Sequence, residues 1–183
     1  MYDRTLSIYS AGKIFAATGV RCGWVIGPED LIKYVRSVHQ YNIFCAYNVI
    51  EMTIAKSLKK ISDPDDTYMK EYAQKLATNR NILLDELIAS KFDMDLWIPK
   101  GGYFILADIS RVDVAEKYMK DEDGNARTKD WAFCFQLATE EKVVGIPCSP
   151  FYSKEDAELG SKYVRFAFCK PEEMIREAGK RMK

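Results

Sequence analysis

Apolar and polar positions along the chain follow two rhythms, alternation and helical recurrence, and the places where one gives way to the other outline its elements. Leu6 and Ile8 alternate with polar neighbours over residues 4–9, which predicts a short strand. Cys22-Gly23-Trp24-Val25-Ile26-Gly27 predicts a second strand, after a Thr18-Gly19 turn signal. The rhythm then becomes helical. Pro28, Glu29 and Asp30 open a helix, with Pro in the first turn and acids at the positive end; Leu31, Ile32, Val35 and Val38 share one face. The pattern breaks over 41–45. A second helix is predicted over 46–61, with Val49, Ile50, Thr53, Ile54, Leu58 and Ile61 inward. Ser62-Asp63-Pro64-Asp65-Asp66 reads as a linker, and from about 65 to 90 Tyr68, Tyr72, Leu76, Leu83 and Leu87 predict one long helix.

Beyond it, 93–99 reads as irregular, Lys100-Gly101-Gly102 as a turn, and 103–109 as a strand apolar enough to be buried on both faces. Residues 120–129 read as a charged, mobile loop. Asp130 is expected to cap a helix carrying Trp131, Cys134, Phe135 and Ala138. A short strand over 143–147 enters the loop Cys148-Ser149-Pro150-Phe151-Tyr152, and 163–168 is another strand. Pro171-Glu172-Glu173 opens a last helix with Met174, Ile175, Ala178 and Met182 on one side. The organisation expected is therefore part of a larger α/β domain over 1–62, a long connecting helix over 63–91, and a small α+β domain over 92–183.

Composition narrows the classes. Apolar residues are 48% of 183, enough for a real core, and 27 Lys+Arg balance 27 Asp+Glu, which speaks against a nucleic-acid binder driven by bulk charge. No run of 18 apolar residues predicts a membrane span, and Met1-Tyr2-Asp3-Arg4 lacks the apolar stretch of a signal peptide. Cys22, Cys45, Cys134, Cys148 and Cys169 are odd in number without short paired spacing. They are expected to be reduced, mostly buried thiols of an intracellular protein, with no disulfide frame and no zinc site. His39 is the single histidine, which excludes two-His metal ligation; no metal is expected.

The chemistry concentrates in residues 10–24. Small residues Ser10, Ala11 and Gly12 precede a single Lys13, and Arg21 follows eight residues later. A lysine among apolar neighbours loses hydration of its ammonium form, which favours the neutral, nucleophilic amine. Arg21 offers a planar fork that matches phosphate oxygens, and Ser10 adds a hydroxyl donor. A carbonyl-reactive lysine flanked by two phosphate ligands suits a phosphate-bearing aldehyde, pyridoxal 5′-phosphate.

Ser10-Ala11-Gly12-Lys13, Thr18-Gly19, Arg21 and Gly23-Trp24 resemble the cofactor-lysine segment of class I aminotransferases, and most of all the kynurenine aminotransferase (cysteine-S-conjugate β-lyase) branch. The resemblance runs over essentially the whole chain and places it in the C-terminal half of a family member. It implies fold type I, an α/β architecture with a partial large domain and an α+β small domain. It makes Lys13 the catalytic and cofactor-anchoring residue, and gives Ser10 and Arg21 the phosphate. Tyr163-Val164-Arg165-Phe166-Ala167-Phe168 resembles the segment whose Arg clamps the substrate α-carboxylate, a role carried to Arg165. Residues 40–45 resemble a segment that reaches the neighbouring subunit's site, so Phe44 is expected to line a substrate pocket. Tyr103-Phe104 resembles a strand whose Phe, here Phe104, packs on substrate. Cys45 stands where the family has His, Val20 where it usually has Trp, and Arg21 where several close relatives have Lys.

The resemblance implies transamination between amino acids, kynurenine and other aromatic, Gln or sulfur amino acids, and 2-oxo acids, with β-lyase activity besides. The expected assembly is a homodimer, in the cytoplasm or the mitochondrion. The family's partner for the pyridine nitrogen, its ring-stacking aromatic and its phosphate loop belong to the N-terminal half and have no counterpart here; Asp108 and Asp113 stand in other contexts. The rival expectation is a truncated, non-catalytic fragment that binds cofactor or pairs with full-length subunits.

Overall fold

The computed structural model describes residues 1–183. Its first strand, β1 (Ser7–Ser10), pairs antiparallel with β2 (Gly23–Ile26), in the register Ser7 to Ile26 and Ser10 to Gly23. A four-residue helix, α1 (Ala11–Ile14), leaves β1 directly, and a 3-10 turn over Thr18–Val20 returns the chain to β2. Glycine is required where the two strands meet. A Cβ on Gly23 would lie 2.6 Å from the Tyr9 carbonyl oxygen.

Two helices follow, α2 (Glu29–Asn42) and α3 (Asn48–Ile61). Pro28 occupies the N-cap of α2, and its carbonyl accepts from the Leu31 and Ile32 amides, as the Pro-Glu-Asp start predicts. The apolar faces read from periodicity are not buried. No residue of α2 is buried, and of the six α3 residues expected inward only Ile54 is; Val49 is 58% exposed. Periodicity shows that a stripe exists, not that these residues have something in this chain to cover them.

The chain divides into two compact units, Met1–Met69 and Lys70–Lys183. The long helix α4 (Tyr68–Ile88) contributes all but its first two residues to the second unit. That unit is built on a four-stranded antiparallel sheet in the order β3 (Asp95–Trp97), β4 (Phe104–Asp108), β6 (Tyr163–Ala167), β5 (Ile146–Pro147). Strand β3 falls in the stretch expected to be irregular. Only Leu96 of its three residues is sheltered, and three residues are too short for alternation to register.

One face of the sheet is dry. Ile105 and Ala107 of β4 and Val164 and Phe166 of β6 are buried there among Leu83, Leu87, Phe133, Leu137, Ile175 and Met182. Those residues come from α4, from α5 (Lys129–Gln136) with its continuation, and from α7 (Glu172–Arg181). The other face of β4 is only half-buried, so the two-sided burial expected of it is corrected to one-sided. Asn79 of α4 ties helix to sheet, its amide donating to the carbonyls of Phe168 (3.0 Å) and Lys170 (2.8 Å).

Helix α5 follows its predicted stripe only at Cys134. It buries Ala132, Phe133, Cys134 and Gln136 and exposes Trp131 and Phe135. Thr128 takes the N-cap position and Asp130 lies in the first turn, fully buried. Two apolar stripes coexist on this helix, and Phe133 with Leu137 is the one the sheet selects. Ile175 of α7 and Met182 at its C-cap are buried as expected, whereas Met174 is 55% exposed. The charged 120–129 stretch forms a tight turn. The Asp121 side chain accepts from the amides of Asp123 and Asn125 and from the Asn125 side chain, and Lys120 pairs with Ala126. A short helix α6 (Ala157–Gly160) precedes β6. Two cysteines, Cys134 and Cys148, are buried; Cys45 and Cys169 are exposed and Cys22 is intermediate, so "mostly buried" does not describe them. No helix is long and apolar enough to cross a membrane.

Candidate functional site

In the first unit, the β1–α1 junction and the start of β2 enclose a cavity of about 400 Å³ lined by Ser10, Gly12, Lys13, Thr18, Arg21, Cys22 and Gly23. Local geometry explains the grouping. The Ala11 amide donates to the Cys22 carbonyl at 3.0 Å, which draws the Arg21–Gly23 segment beside α1. A Cβ on Gly12 would stand 3.0 Å from Thr18 Cα and 3.3 Å from the Ala17 carbonyl oxygen, so a side chain there would push the 3-10 turn back from α1 by a few tenths of an ångström. Tyr68 reinforces this end, its hydroxyl donating to the Ile14 carbonyl and its ring 6.0 Å from that of Phe15.

Arg21 stands at φ 52°, ψ 41°, in the left-handed region that non-glycine residues rarely occupy, and Ala16 at φ 50° is a second such residue in the loop. The conformation carries the Arg21 side chain onto the cavity, with Nη1 3.4 Å from the Thr18 carbonyl oxygen. Strain of this kind persists where the surrounding structure over-determines it, and concentrates at binding sites. Ser10, Lys13 and Arg21 thus line one cavity. The apolar enclosure expected around Lys13 is corrected: Lys13 is exposed, and small and polar residues form the walls.

The second unit holds Arg165 and Phe104. Arg165 projects from the half-buried face of β6, opposite the buried Val164 and Phe166. Its guanidinium carbon lies 3.9 Å from the centroid of the Phe104 ring and 4.6 Å from that of Phe151. Arg165 forms no ion pair, and its Nε is buried without a hydrogen-bond partner. Such an orphaned donor costs about 1–3 kcal/mol, and here it belongs to a cation flanked by rings instead of carboxylates. Phe104 therefore packs on Arg165 in this chain. Cys148 is near enough to sense that charge; burial pushes its thiol up, against a downward pull from Arg165.

Phe44 lies in the first unit on the bend after α2. It is 80% exposed and stands at φ 70°. It is not among the residues lining the Lys13 cavity. Phe151 is the ring that sequence reasoning missed. It falls in a loop whose Pro150 signals only a turn, and its contact with Arg165 spans 14 residues, a distance no local pattern reports.

The first unit thus sets a lysine and an arginine on a glycine-built cavity beside a small hairpin, and the second an arginine without an ion pair on an antiparallel sheet covered by helices. The chain belongs to the aminotransferase class I and II family, which matches residues 1–182. It is similar to a kynurenine–oxoglutarate transaminase of Dictyostelium discoideum, 34% identical over 97% of this chain and 41% of that protein. Kynurenine–oxoglutarate transaminase 1 of Rattus norvegicus is 32% identical over 100% of this chain and 43% of its own. Among solved structures, Bna3p of Saccharomyces cerevisiae superimposes with a TM-score of 0.87 at 30% identity, over 100% of this chain and 42% of that one. N-Succinyldiaminopimelate aminotransferase of Mycobacterium tuberculosis gives 0.79 at 29%, over 99% and 42%. The chain spans about four-tenths of the length of the relatives it matches.

Proposed function

We propose that the chain carries the cofactor-lysine and carboxylate-clamp segments of a pyridoxal-phosphate-dependent transaminase acting on kynurenine and related amino acids with 2-oxo acids. The observation that carries this reading is the convergence of Ser10, Lys13 and Arg21 on one cavity. The donor set fits the group. A primary amine suits an aldehyde carbon, a guanidinium and two hydroxyls (Ser10, Thr18) suit a phosphate, and about 400 Å³ lies within the usual range of small-molecule sites, about 300–1,000 Å³. When bound, pyridoxal phosphate supplies the electron sink that stabilises negative charge at the substrate Cα.

Residues of this chain contribute further parts of the reaction. Lys13 would hold the aldehyde end and, freed as an amine when the amino acid binds, would carry the proton off the donor's Cα in one half-reaction and deliver one to the Cα of the 2-oxo acid in the other. Arg21 and Ser10 orient the phosphate through charge-assisted and hydroxyl hydrogen bonds. Arg165, packed on Phe104, is the group that grips a substrate carboxylate with two parallel N–H···O bonds, and the exposed Phe44 serves the site of a second copy of the chain. Names of relatives favour kynurenine and oxoglutarate as donor and acceptor. The same proton removal serves a β-lyase when Cβ carries a good leaving group. A homodimer through α2 and α3 accounts for the large apolar residues exposed there.

The second reading is a non-catalytic chain that binds cofactor or pairs with longer subunits. The exposure of Lys13 favours it. One titration separates the two. Pyridoxal phosphate is added to the purified chain and to Lys13→Ala, and visible absorbance is followed before and after kynurenine. A Lys13-dependent band that changes with kynurenine supports the catalytic reading. A Lys13-dependent band indifferent to kynurenine supports cofactor binding alone, and identical spectra for the two chains defeat the assignment of Lys13.

A further inference from the structure

We propose that Phe151 is a positioning residue for Arg165: with Phe104 it fixes the plane of the guanidinium, and the buried Asp130 holds the turn that brings Phe151 there. The proposal rests on the reading of Arg165 as the group that grips a carboxylate.

The two rings lie 3.9 Å and 4.6 Å from the same guanidinium carbon, the range in which a cation is attracted by ring faces. No carboxylate competes for Arg165. An arginine with a free fork ordinarily samples many rotamers, and fixing it on binding costs conformational entropy. Rings held by the fold bear that cost before a ligand arrives. Phe104 is fixed by its strand, and the Tyr103 ring lies beside it, tilted by 48° with centroids 4.5 Å apart.

Phe151 needs another anchor, because it sits on a 3-10 turn, Ser149–Phe151, and is itself 62% exposed. Asp130 supplies it. This carboxylate is 0% exposed; one oxygen accepts from the Ser149 amide at 2.7 Å and the other from the Thr128 hydroxyl at 2.5 Å. The turn closes with Phe151 N to Cys148 O at 3.0 Å, and Pro150 stiffens it. Gly160 of α6 seals the far side; a Cβ there would come within 2.8 Å of Ser149 Cα. An interior acid spent on a surface turn is explained if what that turn presents must not move.

The test is nuclear magnetic resonance of the arginine side chains of the full chain, with Arg165→Lys identifying the Arg165 signals. Without ligand, the clamp hinders rotation about the Nε–Cζ bond. Phe151→Ala is expected to speed that rotation, Phe151→Tyr to preserve it and Asp130→Asn to speed it partly, with backbone signals outside the turn unmoved. Because Phe151 is exposed, Phe151→Ala leaves the core intact. Rotation in Phe151→Ala equal to wild type overturns the proposal.

Titration with 2-oxoglutarate then reads the carboxylate role separately. Wild-type Arg165 Nε–H shifts, and Phe151→Ala weakens binding about three- to tenfold, the worth of one cation–π contact. Equal affinity in the two chains overturns positioning for binding. No shift in wild type overturns the reading of Arg165 and leaves the clamp, measured without ligand, standing.

Discussion

Arg21 joins two demands that separate substitutions can disentangle. Its left-handed backbone suits Asn or Gly better than a long side chain, while its guanidinium faces the Lys13 cavity. Arg21→Asn is therefore expected to leave the thermal midpoint unchanged or raised while weakening pyridoxal phosphate by about tenfold or more, measured by calorimetry and absorbance titration on the same sample. The cysteines offer a second test. Burial pushes the Cys134 thiol up to about 12 from 9.0, with smaller contributions from Asp130 and Cys148. Between those values the unfolded thiol has lost its proton and the folded one keeps it, so folding loses about 1.4 kcal/mol per pH unit there. Alkaline unfolding should set in from pH 9 more steeply in wild type than in Cys134→Ala. At neutral pH, Ellman's reagent should label Cys45 and Cys169 rapidly, and Cys134 and Cys148 only after unfolding.

Among elements, the β1–β2 hairpin is where a single methyl decides most. Gly23→Ala would press Cβ against the Tyr9 carbonyl oxygen and should cost about 1–3 kcal/mol in denaturant unfolding, with loss of cofactor affinity as Arg21 shifts. Gly19, with nothing within 4 Å and no positive φ, is the control; Gly19→Ala should gain about 0.4–1 kcal/mol. Long elements with one clear period were legible in the sequence: α4, α2 with its Pro28 start, and strand β6 between Tyr163 and Ala167. The Ser10, Lys13 and Arg21 grouping was legible too, because glycines and spacing within fifteen residues carry it. Strand β3 was not, since three residues hold no period, and the inward face of α5 was not, since Trp131 with Phe135 competes with Phe133 and Leu137 on hydrophobicity alone. The Phe151–Arg165 contact and the bond from the Ser149 amide to Asp130 were invisible because their partners lie 14 and 19 residues apart along the chain.

For the whole molecule, the unburied face is the informative part. Tyr34, Val38, Tyr41, Phe44, Tyr47, Val49 and Met52 are all more than half exposed on α2, α3 and the bend between them. Soluble monomers rarely leave so many large apolar groups uncovered over one hairpin. Sedimentation of the purified chain should show concentration-dependent association, and Tyr41→Ser with Phe44→Ser should shift it toward monomer without lowering the thermal midpoint. The amino-acid pattern could not separate this face from a core face, because both need the same 3.6-residue stripe, and only the folded chain shows which stripe lacks a cover.

The end of α5 has a different consequence. The helix runs into a π turn over Leu137–Glu141, where the Lys142 amide reaches back to the Leu137 carbonyl, and Lys142 at φ 57° ends it. A π turn holds one residue more than an α turn closed by the same peptide groups. Ala138 and Thr139 within it are exposed. Chain length is thus adjustable at this point. An insertion or deletion elsewhere in a helix rotates every following side chain by about 100°, as 3.6 residues per turn require; here a one-residue deletion converts the wide turn to an ordinary one and is absorbed before β5 begins. A one-residue change of length there leaves the sheet and Arg165 in register.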